Sequence, residues 1–126
     1  MEIPSDRRYS ETHEWFRASN DVVTVGISQF AADELTDITY VALPEVGRTV
    51  APGEACAEIE SVKATAEIYC AVGGEIVEIN SQLADRPELL NEDAFDTGWI
   101  FKIKCPDLSP LDELMTAAEY ERHIAD

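Results

Sequence analysis

Short stretches of alternating or β-branched residues recur along most of the chain, and each is cut off within a few residues by glycine or proline. That rhythm limits the folds open to the chain more than any single motif does. Val22 to Ile27 is β-rich and reads as breaking at Gly26; Ile38 to Leu43 reads as a strand that stops at Pro44. Pro44, Gly47, Pro52 and Gly53 then punctuate the sequence in quick succession. Ala55, Ala57 and Ile59 alternate with Cys56, Glu58 and Glu60, the pattern of a strand with one face buried. Thr65 to Cys70 and Glu75 to Ile79 follow, separated by the Gly73-Gly74 turn, and Trp99 to Cys105 alternates through a final strand. Many short strands with frequent turns predict a β sandwich or barrel.

Three helical pieces interrupt the strands. Ser28 is placed to cap a short helix from Gln29 to about Leu35. Pro87 suits the first position of a helical turn through Leu90, ending near Asn91. Ser109, Pro110 and Asp112 mark a helix start, and Leu111, Leu114, Met115 and Ala118 keep helical spacing on one face, which reads as core packing. A faint repeat, Val46-Gly47 and Val72-Gly73 before two strand pairs, suggests a quasi-twofold arrangement.

A chain of 126 residues with 45% hydrophobic residues suits one domain, residues 1–126, with one modest core. The formal net charge of −17, from 26 acids against nine bases, opposes binding to nucleic acid and to acidic membrane surfaces and favours solubility or basic partner surfaces. Three cysteines, Cys56, Cys70 and Cys105, without a C-x-x-C pair argue against a disulfide framework and against zinc, so a reducing compartment is expected. Met1 to Tyr9 includes Glu2 and Asp6 and lacks an apolar stretch, so it reads as neither signal nor transit peptide. No apolar run is long enough to span a membrane. The expected location is the cytoplasm.

Only three lysines are present. Lys102 and Lys104 share one face of the last strand and read as edge or surface charge. Lys63 falls between two strand patterns, in Glu60-Ser61-Val62-Lys63-Ala64, at or near the tip of a tight hairpin, with small uncharged neighbours. Taken alone, that spacing fits an ordinary exposed lysine better than a modified one. No nucleophile, base and orienter stand together, so a stand-alone enzyme is not expected.

Glu60-Ser61-Val62-Lys63-Ala64 resembles the lipoylation motif of glycine cleavage H proteins. Further matches follow in order: Tyr9, His13-Glu14-Trp15, Val25-Gly26-Ile27, Asp37-Ile38, Tyr40-Val41, Leu43-Pro44-Glu45-Val46-Gly47 and Gly53-Glu54. Downstream come Gly74-Glu75-Ile76-Val77-Glu78-Ile79-Asn80, Pro87-Glu88-Leu89-Leu90-Asn91, Gly98-Trp99, Lys102-Ile103-Lys104 and Glu119-Tyr120. Four positions depart: Cys70-Ala71 replaces a usual serine-proline pair, Thr36 a usual glycine and Glu67 a common aspartate.

The resemblance implies a lipoyl/biotinyl-carrier-like β sandwich (a barrel-sandwich hybrid) with short helices and a C-terminal helix. It implies lipoate joined to Lys63 by a lipoate ligase or lipoyl transferase, within the motif formed by Glu60, Ser61, Val62 and Ala64. It further implies a monomeric, non-catalytic carrier serving three enzymes. A pyridoxal-phosphate glycine decarboxylase loads an aminomethyl group, an aminomethyltransferase passes the one-carbon unit to tetrahydrofolate, and dihydrolipoyl dehydrogenase, with FAD and NAD, reoxidises the dithiol. Glu14, Thr12 and Glu67 become candidates to shelter the loaded arm, Glu14 foremost, with a surface carboxylate beside Trp15 as its alternative reading. His13 reads as a hydrogen-bonded structural residue. A biotinyl domain would set its lysine between methionines, and a 2-oxo acid dehydrogenase lipoyl domain would place aspartate before it. Neither accounts for His13-Glu14-Trp15 or the C-terminal helix. The remaining alternative is an H-like protein acting as a lipoyl donor or regulatory module outside glycine cleavage.

Overall fold

A computed structural model describes residues 3–125. Met1 and Glu2, part of the segment read above as lacking a leader, and Asp126 lie outside the described residues. Two antiparallel sheets carry the fold. The larger has the order β1 (Arg8–Tyr9), β2 (Glu14–Ser19), β3 (Val22–Ile27), β9 (Phe101–Lys104), β8 (Gly74–Ile79) and β5 (Thr49–Val50). The smaller has the order β4 (Ile38–Ala42), β6 (Ala55–Ser61) and β7 (Thr65–Tyr69). Between them lies a core that includes Val23, Val25, Ile59, Ile68, Ile76 and Ile103. A second aromatic cluster of Tyr9, Trp15 and Tyr120 closes one side.

The β-sandwich expectation holds, with local corrections. Gly26 does not break β3. It lies within the strand opposite Trp15, whose indole would stand 2.6 Å from an added Cβ, so the position requires a bare backbone. In β6 the alternation slips: Cys56 and Ala57 are both buried, because the register shifts between Ala55 and Ala57 where the strand pairs with β7. Strand β9 is central, flanked by β3 and β8, so Lys102 and Lys104 are not edge residues. They reach Glu78 at 3.7 Å and Asp21 at 4.0 Å on the neighbouring strand β8 and the β2–β3 turn. Strands β5 and β8, which follow the two Val-Gly pairs, lie side by side, with Val50 opposite Gly74.

Helix α1 (Gln29–Leu35) begins as expected, with Ser28 Oγ accepting the Ala31 N–H at 3.1 Å. It ends at Thr36, whose φ of 62° is a conformation that favours glycine. Helix α2 (Gln82–Asp85) was not legible, and α3 (Leu89–Glu92) starts two residues after Pro87. The helix expected from Ser109 is shorter and divided. A 3₁₀ turn covers Ser109–Glu113, Met115 then pairs with Tyr9 as an isolated bridge, and α4 runs over Ala117–Ala125. A second start supplies α4: Thr116 N–H donates to Glu119 at 2.9 Å while the Glu119 N–H donates to Thr116 Oγ1 at 3.3 Å, a reciprocal cap.

Candidate functional site

Strands β6 and β7 form a hairpin whose head is built by one side chain. Ser61 Oγ accepts the N–H of Lys63 at 3.1 Å and of Ala64 at 3.0 Å, and the Ser61 N–H donates to the Ala64 carbonyl at 2.8 Å. These bonds satisfy the turn's backbone and fix its shape. The Val62 N–H donates to the Asp37 carbonyl at 3.0 Å, tying the turn to the entry of β4. Val62, Lys63 and Ala64 are exposed, Val62 at 69%. Among the described residues the Lys63 ammonium makes one hydrogen bond, donating to the Glu34 carbonyl at the end of α1 at 3.1 Å. Val62, Lys63 and Ala64 therefore stand clear at a β-turn, while Glu60, the first residue of the attachment sequence, lies on β6 and pairs with Tyr40 and Thr65.

Glu14 opens β2 and is 1% exposed. Ser10 and Thr12 hydroxyls donate to its Oε1, and the Tyr69 N–H donates to its Oε2 at 3.2 Å. Burial pushes the carboxyl above its ordinary value, and the three donors oppose that shift. Among the described residues no lysine or arginine pairs with it. A buried carboxylate held only by neutral donors keeps an unmet preference for a cation. Tyr69 also links Glu14 to Glu67: its hydroxyl donates to Glu67 Oε2 at 3.1 Å, and both side chains are exposed on β7. Glu67 borders an open groove of about 410 Å³, with Ala42, Arg48, Cys56 and Glu58 among its walls.

The structure thus joins Thr12, Glu14 and Glu67 through Tyr69 and places Lys63 at the head of the strand that carries Glu67 and Tyr69. Ser10 and Tyr69 were missed. Ser10 left only a hydroxyl four residues before an acid; Tyr69 acts through its backbone, which no side-chain pattern reports. His13 is hydrogen-bonded, its Nδ1 2.8 Å from the Tyr120 hydroxyl. The departure at Cys70 places a fully buried thiol beside Cys56; the hydrogen bond it donates to Cys56, then burial, hold it protonated, well above the ordinary thiol value.

The model of the family described as glycine cleavage H-protein matches residues 7–126. The chain belongs to that family. Among similar proteins, the glycine cleavage system H protein of Thermus thermophilus is 52% identical over 121 residues, covering 96% of this chain and 94% of the relative. That of Escherichia coli is 49% identical over 125 residues, covering 98% and 97%. A crystal structure of a glycine cleavage system H protein from Mycobacterium marinum superposes with a TM-score of 0.89 at 37% identity, covering 98% of this chain and all of that one. The two-sheet architecture with its C-terminal helix is accordingly the lipoyl-carrier barrel-sandwich fold of H proteins. With the family comes its role: a non-catalytic lipoyl carrier of the glycine cleavage system, shuttling the aminomethyl group of glycine from the decarboxylase to the aminomethyltransferase. No helix among the described residues is long and apolar enough to cross a membrane.

Proposed function

We propose that lipoate is joined by an amide to Lys63 Nζ within Glu60-Ser61-Val62-Lys63-Ala64, and that Glu14, Thr12 and Glu67 shelter the loaded arm. One observation carries this reading: Lys63 stands exposed at the head of a hairpin whose turn Ser61 holds in one shape. The residues fit such an arm. Val62 and Ala64 add neither charge nor bulk beside the ammonium, and among the described residues a modifying enzyme has one bond, to the Glu34 carbonyl, to displace. Amide formation removes the lysine's charge and leaves one N–H of the original three.

When bound, the lipoyl group supplies the sulfur chemistry by which the aminomethyl unit is accepted and given up. The chain does the rest. Its hairpin carries the tether into successive active sites at high effective concentration. Glu14, already desolvated and aimed by Ser10, Thr12 and the Tyr69 N–H, offers an amine a charge-assisted hydrogen bond away from bulk water. Glu67, which lines the groove, adds a second carboxylate joined to Glu14 through Tyr69.

The partners in this reading are glycine decarboxylase, aminomethyltransferase, dihydrolipoyl dehydrogenase and a lipoate ligase or lipoyl transferase. Residues 1–126 act as one carrier domain, monomeric and in the cytoplasm. Intact mass after expression with lipoate and a ligase tests the attachment. Wild type gains one lipoyl increment and Lys63→Arg gains none, because arginine keeps the charge but cannot form the amide. An equal gain in both, or none in wild type, overturns it. Glu14→Ala is expected to be lipoylated normally yet to lose the loaded state faster; equal lifetimes overturn the shelter.

A further inference from the structure

Glu14 is aimed by a turn, residues 10–14, that needs support from outside. Within the turn the His13 N–H donates to the Ser10 carbonyl at 3.1 Å, the Ser10 N–H to the Glu14 carbonyl at 2.9 Å, and the Glu14 N–H to Ser10 Oγ at 3.0 Å. His13 adopts a φ of 77°, a left-handed conformation that a histidine holds only where its surroundings over-determine it. Three contacts do so. The His13 carbonyl accepts the Ser28 N–H at 2.9 Å, its ring meets the Tyr120 hydroxyl at 2.8 Å, and the neighbouring Glu11 carbonyl accepts from His123 Nε2 at 3.3 Å. Tyr120 and His123 both belong to α4. Tyr120 is itself fixed by stacking on Tyr9, centroids 4.7 Å apart and planes within 10°.

The protons in this cluster have one satisfying order. Ser28 is fully buried; its Oγ accepts the Ala31 N–H at 3.1 Å and lies 2.6 Å from the Tyr120 hydroxyl oxygen. The Ser28 O–H therefore donates to Tyr120, and the Tyr120 O–H donates to Nδ1 of a neutral His13. A proton on Nδ1 reverses the chain and leaves the buried Ser28 hydroxyl proton without an acceptor, which is unfavourable. The groups facing His13 are Tyr120 and His123 from α4, both with ring centroids 5.8 Å away, Phe30 and Glu34 from α1, and Glu11 and Glu14 flanking it in its own turn.

We infer that α4, through Tyr120 and His123, is a pH-sensitive clasp that positions Glu14, with His13 the group whose protonation opens it. Tyr120 and His13 are thus positioning residues, and their consequence for the carrier rests on the shelter proposed for Glu14. Burial first, and then His123, hold the His13 ring below its ordinary 6.5, with Glu34 opposing. A base depressed in the folded state is neutral and stabilising above 6.5, and that contribution is lost as pH falls below it.

The test uses the unmodified protein: amide hydrogen exchange, expressed as protection factors, together with the NMR titration of the Glu14 carboxyl, from about pH 7.5 to about pH 5. Protection at Ser10, His13 and Glu14 is expected to fall about tenfold on acidification, the equivalent of one lost hydrogen bond. His13→Asn, which tolerates the left-handed backbone and does not titrate, abolishes that step. Tyr120→Phe keeps the stacked ring but lowers the same protection about tenfold at neutral pH and moves the Glu14 titration, while the amides of β6, and of β7 apart from Tyr69, are unchanged. An unchanged turn in Tyr120→Phe, or a step that survives in His13→Asn, overturns the clasp. The amide data decide the clasp whatever the Glu14→Ala lifetime shows, so failure here and failure of the shelter are separable.

Discussion

Replacing Glu14 by glutamine separates two demands on one position. Glu14 is buried, and burial raises its carboxyl above the ordinary 4.5 despite three hydrogen-bond donors. A carboxyl whose folded value is raised contributes stability that is full below 4.5 and is lost as pH rises through the folded value. At neutral pH the ionised Glu14 therefore costs stability. Glu14→Gln is expected to raise the urea midpoint at pH 7, with the gain shrinking as pH falls toward 4.5. It should also weaken the hold on an amine, the usual exchange of stability against function. A midpoint at pH 7 below that of wild type would contradict the account. Glu14 was legible in the sequence only through its resemblance to a family position, since nothing in the pattern around Trp15 says that the carboxylate is buried. Lys63 was more open to reading, because a lysine between two strand patterns must lie at a turn. Ser61 stood in the same motif, but its part in building that turn depends on bonds to backbone N–H groups that a residue pattern does not display.

At the scale of elements, most strands were visible because β-branched alternation and glycine or proline breaks are local facts. What escaped was set by neighbours. Strand β2 buries Glu14, Trp15 and Phe16 in succession, Trp15 against the Tyr9–Tyr120 cluster and Phe16 in the main core, so it shows no alternation. Helix α4 was misplaced because Pro110 and the Leu111–Ala118 spacing read as one helix, whereas the Met115–Tyr9 bridge takes the backbone out of helical bonding and Thr116 restarts it. Helix α1 carries the opposite lesson. Its end at Thr36 keeps the positive φ suited to the glycine common in the family, and a β-branched residue is strained there. Thr36→Gly is expected to stabilise the protein by about 1 kcal/mol, the relief of strain exceeding the entropy that glycine adds to the unfolded chain. The Asn91 side chain, which donates to the Thr36 carbonyl at 2.6 Å, would hold the loop in the same place. Equilibrium urea unfolding measures this, and a lower midpoint in Thr36→Gly would show that Thr36 carries no strain.

Over the whole molecule, strand order was not legible, because nothing local tells β9 to insert between β3 and β8. Charge, by contrast, can be read directly and has consequences that the fold does not cancel. Of the 26 acids, six engage in ion pairs among the described residues, through Arg7, Arg48, Arg86, Lys102 and Lys104. Most of these pairs are well exposed, and exposed pairs contribute only about 0–1 kcal/mol each. The remaining carboxylates repel one another across a surface with a formal net charge of −17. Salt shortens the reach of that repulsion from about 30 Å at 0.01 M to about 3 Å at 1 M, while it weakens the few attractive pairs far less in total. Repulsion is strongest in the compact state, so added sodium chloride should raise the thermal midpoint steadily, most steeply at low concentration. The same screening should weaken association with any basic enzyme surface, so stability and partner affinity move in opposite directions as salt increases. Both are measured on one sample series, by thermal unfolding and by titration calorimetry against the glycine decarboxylase. A midpoint that falls with salt would mean that the attractive pairs outweigh the net field, and an affinity indifferent to salt would mean that the acidic surface takes no part in docking.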